Sequence, residues 1–495
     1  MYKCNTFNGN KDMISSLMPY GMIVGGEPAG GSRKKTAAYV INKNGSVQTT
    51  WKYRGPDLES SVPEQLAVIT AQLNNAFMLE GTGWIIYLEA KRYASTSYAE
   101  DVYFPDPVTK AIDEERKRKF SSGRYFESDY YFTLCWITPS DREGKLKDMV
   151  LEGREKKAFS IDDALETFGE VAHQLYRIFQ DFGIPTDFLD RDETATYLHS
   201  CVSTHDYPIK VPKEPMLVDQ YLYDCSIDGG NDPVLGDKYM KIITPLAFPN
   251  TSYFGMLNEL NRESFSYRWV TRFYAQDKQD ALNVLAEKSR GWKSKVFSVF
   301  TMLRNMLMNE PESDRDANKN ALKKVSEVER AQTMTEADEV GYGYYSTMVI
   351  VMDENYEQVC ANAKLVKDVL QGHDMKPQIE DVNSLDAWLG SLPGNFHHFC
   401  RRPFVSTGNL VHMMPISDIW AGPARNKCLK GPALLYTRAE GSTPFRLNLH
   451  VGDVGHSLLV GPTGAGKSVH LNMISASFRK YKGARVFIFD KGASS

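Results

Sequence analysis

The chain has 495 residues, a net charge of −4, and a composition that is 42% hydrophobic, 24% charged and 12% aromatic. That length exceeds what one hydrophobic core organises, so roughly three or four domains of about 100–200 residues are expected. The composition excludes disordered and collagen-like classes, and the slightly acidic balance gives no overall electrostatic case for wrapping nucleic acid.

The seven cysteines, Cys4, Cys135, Cys201, Cys225, Cys360, Cys400 and Cys428, are scattered without a CxxC pair. They suggest neither a disulfide framework nor a zinc knuckle, and read as reduced thiols. The apolar stretch Met13 to Gly26 is interrupted by Pro19. It is shorter than the ~20 residues that cross a bilayer and lacks the basic start of a secretory signal.

In chain order, residues 37–53 place two alternating runs around Asn44-Gly45 and predict a β-hairpin. A helix follows Ser61, with Pro63 and Glu64 in its first turn and Leu66, Ile69, Leu73 and Phe77 on one face. Strands are expected at Gly83–Lys91 and Asp129–Thr138, separated by a charged helix around Asp113–Phe120. Its run Glu114-Glu115-Arg116-Lys117-Arg118-Lys119 reads as a solvated helix face. Ser160 caps an amphipathic helix that ends at Gly183-Ile184-Pro185.

From about residue 236 the pattern alternates: a strand at 238–246, a helix after Asn250, a strand at 264–275, and a helical stretch from Asp277 to about Met308 that charged residues continue to Glu339. A strand at Tyr344–Met352, a helix at Tyr356–Leu370 and a short strand near Lys376–Glu380 complete two βαβ-like units around a helical arm. Ser391 to Asn395 reads as a linker or turn. His397 and His398 are adjacent, so their side chains diverge and make a poor metal pair.

The chemistry concentrates near the end. The apolar run His456–Val460 precedes Gly461-Pro462-Thr463-Gly464-Ala465-Gly466-Lys467-Ser468, and a helix-like run follows. Strand, GxxxxGK[ST] and helix in that order form a phosphate-binding loop. The glycines let successive amides point inward at phosphate oxygens, and the helix adds a positive end of roughly half a charge. Lys467 is expected to reach the β and γ phosphates of ATP, and the Ser468 hydroxyl to ligate Mg²⁺.

Hydrolysis also needs a second acid that holds Mg²⁺ through water. The 27 residues 469–495 offer a helix and one strand, Arg485–Asp490. Asp490 follows that strand, but the strand next in sequence carries no such duty in most ATPases of this class, so Asp490 reads as a cap or turn residue. No catalytic residue is assigned. A doubly wound nucleotide domain needs several more parallel strands, so the chain reads as an N-terminal fragment or truncated product.

These residues resemble the TrbE branch of the conjugal-transfer ATPases, relatives of the VirB and CagE energising subunits of type IV secretion. The similarity is densest over Thr443–Ser468 and at Phe489-Asp490-Lys491-Gly492. It extends upstream through Gly55-Pro56-Asp57-Leu58, Gly81-Thr82-Gly83-Trp84, Phe104-Pro105-Asp106-Pro107, Tyr125-Phe126-Glu127-Ser128 and Leu392-Pro393-Gly394-Asn395. The resemblance implies a cytoplasmic ATPase, peripheral at the inner face of the bacterial inner membrane, that assembles with itself as a hexamer and with inner-membrane channel components. Its loop residues carry over to Gly461, Gly464, Gly466, Lys467 and Ser468. The family's Walker B acids and arginine finger find no counterpart before Ser495.

The expected architecture is an α+β N-terminal domain (1–155), a central α+β domain with a helical arm (156–390), and the start of an α/β P-loop, RecA-like NTPase domain (391–495). The expected function is ATP binding in a type IV secretion or pilus-biogenesis subunit, without turnover by this polypeptide alone. A non-catalytic scaffold at the channel base is the alternative. A DNA-handling translocase is a third reading, which would require nucleic-acid affinity that falls steeply with salt.

Overall fold

The computed structural model describes residues 14–25, 37–56, 58, 61–79, 81–100, 102–138, 161–214, 216–293, 319–439, 441–450 and 452–489. The expected cap Ser160, the arm over 294–318 and Asp490 lie outside the described residues. The chain divides into two compact units: Met1–Ala90, Tyr130–Leu257 and Trp269–Ile416 form one, and Lys91–Asp129, Asn258–Arg268 and Ser417–Ser495 the other. No described helix is long and apolar enough to cross a membrane.

The first unit is built on a large mixed-length sheet. Its strands are β1 (Tyr20–Gly25), β2 (Ala38–Asn42), β3 (Val47–Tyr53), β4 (Trp84–Ala94), β5 (Phe126–Trp136), β6 (Thr186–Phe188), β7 (Ile227–Asp228), β8 (Val234–Leu235), β9 (Lys238–Ala247), β10 (Tyr267–Ala275), β11 (Tyr342–Asp353), β12 (Lys376–Ile379) and β13 (Phe404–Ser406). The spatial order is β1-β2-β3-β5-β4-β10-β11-β9-β8-β7, with β12 on β9, β13 on β11 and β6 on β3. The hairpin β2/β3 forms as the sequence indicates, and Gly45 at its turn has φ +79°, a conformation that costs glycine nothing.

Two expected βαβ-like units become a different connection. The helix Tyr356–Gly372 links β11 to β12, and these two strands flank β9, each antiparallel to it. That is a split βαβ unit, with the intervening strand donated from elsewhere in the chain. The sheet is therefore dominated by antiparallel pairs, including β1/β2, β3/β5 and β11/β13. The helix expected after Asn250 is only a short 3₁₀ turn, Asn258–Arg262. Pro249 and the left-handed Gly255 (φ +71°) break the intervening backbone.

One helix closes the aromatic face of this sheet. Ile161–Asp181 buries Phe168, Ala172, Leu175 and Phe179 at helical spacing, the stripe that sequence periodicity announces. Phe179 meets Trp51 edge-on at 6.1 Å, and Trp51 stacks on Phe132 at 4.3 Å. Offset and edge-to-face arrangements of this kind add ~0.5–1.5 kcal/mol per pair beyond area burial.

The segment read as a linker or turn is a turn, buried from Ser391 to Asn395. Gly394 has φ +81°, and a Cβ there would stand 2.6 Å from Gln48 Oε1 and 2.7 Å from Asn42 Nδ2. Proline and glycine here make a tight turn into the core rather than a flexible joint. The fully buried Arg272 donates to the carbonyls of Asn395 (2.9 Å) and His398 (2.7 Å), so the turn's backbone acceptors are satisfied without water.

The second unit is smaller. Helix Pro107–Phe120 begins earlier than expected because Asp106 caps it, accepting from Thr109 N at 2.7 Å, with Pro107 in its first turn. Strands β14 (Arg425–Asn426) and β15 (Gly431–Pro432) pair, as do β16 (Leu435–Arg438) and β17 (Pro444–Leu447). Phe120, Tyr125, Ala433 and Tyr436 form one cluster, and Leu434, Leu435 and Tyr481 another. The buried Glu127–Arg446 ion pair and the Arg92 bonds to Glu263 O and Ser442 Oγ tie its chain segments together.

Candidate functional site

The expected phosphate loop lies in the second unit. The backbone turns left-handed at Gly464 (φ +83°) and Gly466 (φ +82°), and an added Cβ at either would meet no atom. Their glycine identity answers to backbone conformation rather than to crowding. Gly466 is the N-cap of helix Lys467–Phe478, and no side chain caps that end. The amides of the first turn are thus left for an external acceptor, since an N-terminus has four orphan N–H groups. His470 N makes the first helical bond, to Gly466 O at 3.0 Å.

Lys467 turns back over the loop, where its Nζ donates to Pro462 O at 2.6 Å. Ser468, Thr463 and Ala465 are exposed, as are Gly461 and Pro462. A groove of about 560 Å³ runs along the loop, lined by Gly461, Ala465, Gly466, Lys467, Arg116 and Thr437 among others. Its apolar floor comes from Leu435 and Met473, the latter packed against the Leu434, Leu435 and Tyr481 cluster. Tyr481 anchors the helix's far end by donating to Pro432 O at 2.8 Å.

The residues present fit a polyphosphate: an uncapped helix start, two left-handed glycines and a lysine already within the loop's curve. Ser468, next to Lys467 at the helix start, is the residue that could ligate a divalent ion, having an exposed hydroxyl.

Two neighbouring expectations need correction. Neither 456–460 nor 485–489 forms a strand. A strand exists only where its N–H and C=O groups pair with a neighbour, and no described strand pairs with either segment. The doubly wound sheet of a RecA-like domain is accordingly not formed by the described residues. Loop and helix are the parts that are present.

Arg116 is the groove residue that sequence reading missed. It sits within a charged run that is otherwise solvated, with Glu114, Glu115, Lys117, Arg118 and Lys119 exposed as expected. Arg116 alone of these reaches inward, its guanidinium donating to Tyr436 O at 2.6 Å. Helical spacing could have separated it by its i+4 relation to Phe120, which is buried. His398 Nδ1 lies 3.0 Å from Asp386 Oδ1 while the His397 ring lies against Phe396, so the adjacent pair diverges as anticipated.

Residues 38–144 match the family described as type IV secretion system ATPase VirB4/TrbE, N-terminal domain, and residues 301–401 match the CagE, TrbE, VirB family, component of type IV transporter system. The phosphate loop lies outside both ranges. The conjugal transfer protein TrbE of Rhizobium radiobacter is 31% identical over 514 aligned positions, covering all of this chain and 60% of the relative. The type IV secretion system protein virB4 of Bartonella henselae is 20% identical over 90% of this chain and 55% of its own length. The type IV secretion system protein PtlC of Bordetella pertussis is 22% identical over 97% of this chain and 58% of its own. The chain thus spans about 60% or less of the length of these relatives. Two separate family matches and a similarity that runs from end to end of this chain relate it to the CagE, TrbE, VirB components of type IV secretion.

Proposed function

We propose that this chain is the ATP-binding part of an energising subunit of conjugal transfer or type IV secretion, and that it binds Mg-ATP without turning it over alone. The observation that carries this reading is the pairing of left-handed Gly464 and Gly466 with an uncapped helix start and Lys467 folded into the loop. Backbone amides from Thr463 to Gly466 and the Lys467 ammonium hold the phosphates; Ser468 ligates Mg²⁺. Pro462, Thr463 and Ala465 complete the loop's curve. Bound ATP supplies a phosphoanhydride whose cleavage in the complete assembly powers transfer.

The groove's chemistry supports the reading of no turnover by this chain. Arg116, Lys467 and His470 are its ionisable lining residues, and no carboxylate among the described residues stands there to hold the ion through water or orient an attacking one. The partners are further copies of the same subunit, as a hexamer, and inner-membrane components of the channel, at the cytoplasmic face of the membrane.

Binding of a fluorescent ATP analogue with Mg²⁺ tests the proposal. Lys467→Ala is expected to weaken it roughly tenfold or more, since a charged hydrogen-bond donor contributes about 1.5–3 kcal/mol. Equal binding by wild type and variant sinks the nucleotide reading. Lys467-dependent phosphate release by the pure chain sinks the claim of no turnover.

A second reading, a non-catalytic docking module at the channel base, is favoured by apolar side chains left in solvent beside the loop. Leu458 is 89% exposed and Phe489 97%, with Val460 and Phe487 nearly as open. Large apolar side chains left this open are the raw material of an interaction surface. Capture of channel components by Lys467→Ala as efficiently as by wild type would favour it.

A further inference from the structure

In the first unit, far along the sequence from the phosphate loop, three residues with metal-ligating atoms converge. His205, Asp224 and Cys225 place one ligand atom each within 4.8 Å of the other two. His205 Nδ1 is 2.9 Å from Asp224 Oδ2 and 3.8 Å from Cys225 Sγ. Ligands around a tetrahedral ion at 2.0–2.3 Å are separated by roughly 3.3–3.8 Å. The sulfur–nitrogen spacing already has that value. The nitrogen–oxygen spacing would widen by a few tenths of an ångström, which His205 can supply because its side chain is 57% exposed.

The surroundings are arranged to orient these groups. His199, on helix Arg191–Val202, is only 1% exposed. Its Nε2 lies 3.1 Å from Asp224 Oδ2 but lacks the alignment of a hydrogen bond. A buried imidazole nitrogen left unsatisfied costs free energy in the ordinary folded state. It becomes useful when the carboxylate rotates toward an ion, because ligating carboxylates are held by a second ring of donors. Tyr207 OH supplies another such bond to Asp224 at 2.8 Å.

The sulfur is similarly enclosed. Ser203 Oγ is 3.4 Å from Cys225 Sγ and Thr204 Oγ1 3.6 Å away. Gly236, at φ +58°, brings backbone so close that a Cβ would stand 3.2 Å from the sulfur and 2.8 Å from Thr204 Oγ1. The position admits only glycine, and the cysteine is fixed against it.

We propose that His205, Asp224 and Cys225 form a binding site for a borderline-soft divalent transition ion, zinc being the best match, with His199 and Tyr207 as positioning residues. Thiolate, imidazole and carboxylate together suit zinc or cobalt and disfavour magnesium or calcium, which take oxygen ligands. The fourth coordination position is left for water. Binding requires the Cys225 thiol to release its proton to solvent. The site ties the end of helix Arg191–Val202 to the loop before β7, two segments that are otherwise joined by polar contacts around Asp224.

The test uses the full 495-residue chain, stripped with a chelator and titrated with Co²⁺ under reducing conditions. One equivalent is expected to bind, with a near-ultraviolet thiolate-to-cobalt charge-transfer band that Zn²⁺ then abolishes by displacement. Cys225→Ser removes the band, whereas Cys428→Ser, which changes an exposed thiol of the other unit, leaves it. His205→Gln and Asp224→Asn keep the cysteine and lower cobalt affinity roughly tenfold or more, which decides the matter even if Cys225→Ser fails to fold. Absence of the band in wild type, its persistence in Cys225→Ser, or undiminished affinity in both His205→Gln and Asp224→Asn overturns the site and leaves a hydrogen-bond cluster.

Discussion

Replacing Gly394 by alanine separates two costs that a core turn can impose. The first is conformational: at φ +81° an L-residue loses about 1–2 kcal/mol relative to glycine. The second is steric and polar. The new Cβ would fall 2.6 Å from Gln48 Oε1 and 2.7 Å from Asn42 Nδ2, so both amides must move. Asn42 Nδ2 would give up its bond to Ser46 Oγ at 2.9 Å, and Gln48 Oε1 its contact with Cys135 Sγ at 3.3 Å. Stranding buried polar groups costs about 1–3 kcal/mol each. The expected loss for Gly394→Ala is therefore about 3–8 kcal/mol. Gly183 provides the control in the same unit, with φ +70° and no atom within 4 Å of an added Cβ. Gly183→Ala should lose only the conformational part, about 1–2 kcal/mol. Urea unfolding followed by the fluorescence of buried Trp51 and Trp388 measures both. If Gly394→Ala loses no more than Gly183→Ala, the turn is not locked against β2 and β3 and the reasoning fails.

Arg401→Ala should destabilise by about 3–5 kcal/mol, because it strands the carboxylate of Glu380, whose side chain is 0% exposed and also accepts from Thr244. The double variant Arg401→Met/Glu380→Gln should recover most of that loss in thermal unfolding; no recovery would mean that the damage lies in packing rather than charge. Burial depresses the Lys480 ammonium from 10.5 to about 8. Between those values the unfolded chain binds the proton more tightly than the folded one, so stability rises with pH across this window and the full penalty applies below about pH 8. Lys480→Met should therefore stabilise the second unit at pH 7 by roughly 1–3 kcal/mol and remove the slope between pH 8 and 10. An unchanged slope in a pH series of melting curves would refute the assignment.

The split between what was and was not legible follows from the range of the forces involved. Local signals placed the hairpin around Gly45, the helix after Ser61 and the stripe Phe168, Leu175 and Phe179, since each depends on residues a few positions apart. The shape of the candidate phosphate loop was legible for the same reason: its glycines, lysine and serine lie close together, and the left-handed turns at Gly464 and Gly466 are set by local backbone conformation. Arg116 was not, because its place in the groove depends on Tyr436, 320 residues away.

Strand order was equally hidden. Sequence alternation around Tyr344–Met352 and Lys376–Glu380 marked two strands and a helix, but only the tertiary structure decided that β9 would slide between them. Hydrophobic pattern says that a strand is buried and is silent about its neighbour, whose hydrogen bonds are non-local. Pro393-Gly394 reads locally as either a linker or a turn, and only folding made it a core turn, because Gln48 and Asn42 close over it. His205, Asp224 and Cys225 likewise share no motif spacing and meet only when the loop before β7 returns to the helix end. By itself the sequence determined the chain's local geometry and marked the candidate phosphate loop, which are properties of neighbouring residues. Folding decided which distant groups share a pocket, because that choice rests on contacts the chain makes only once it has closed on itself.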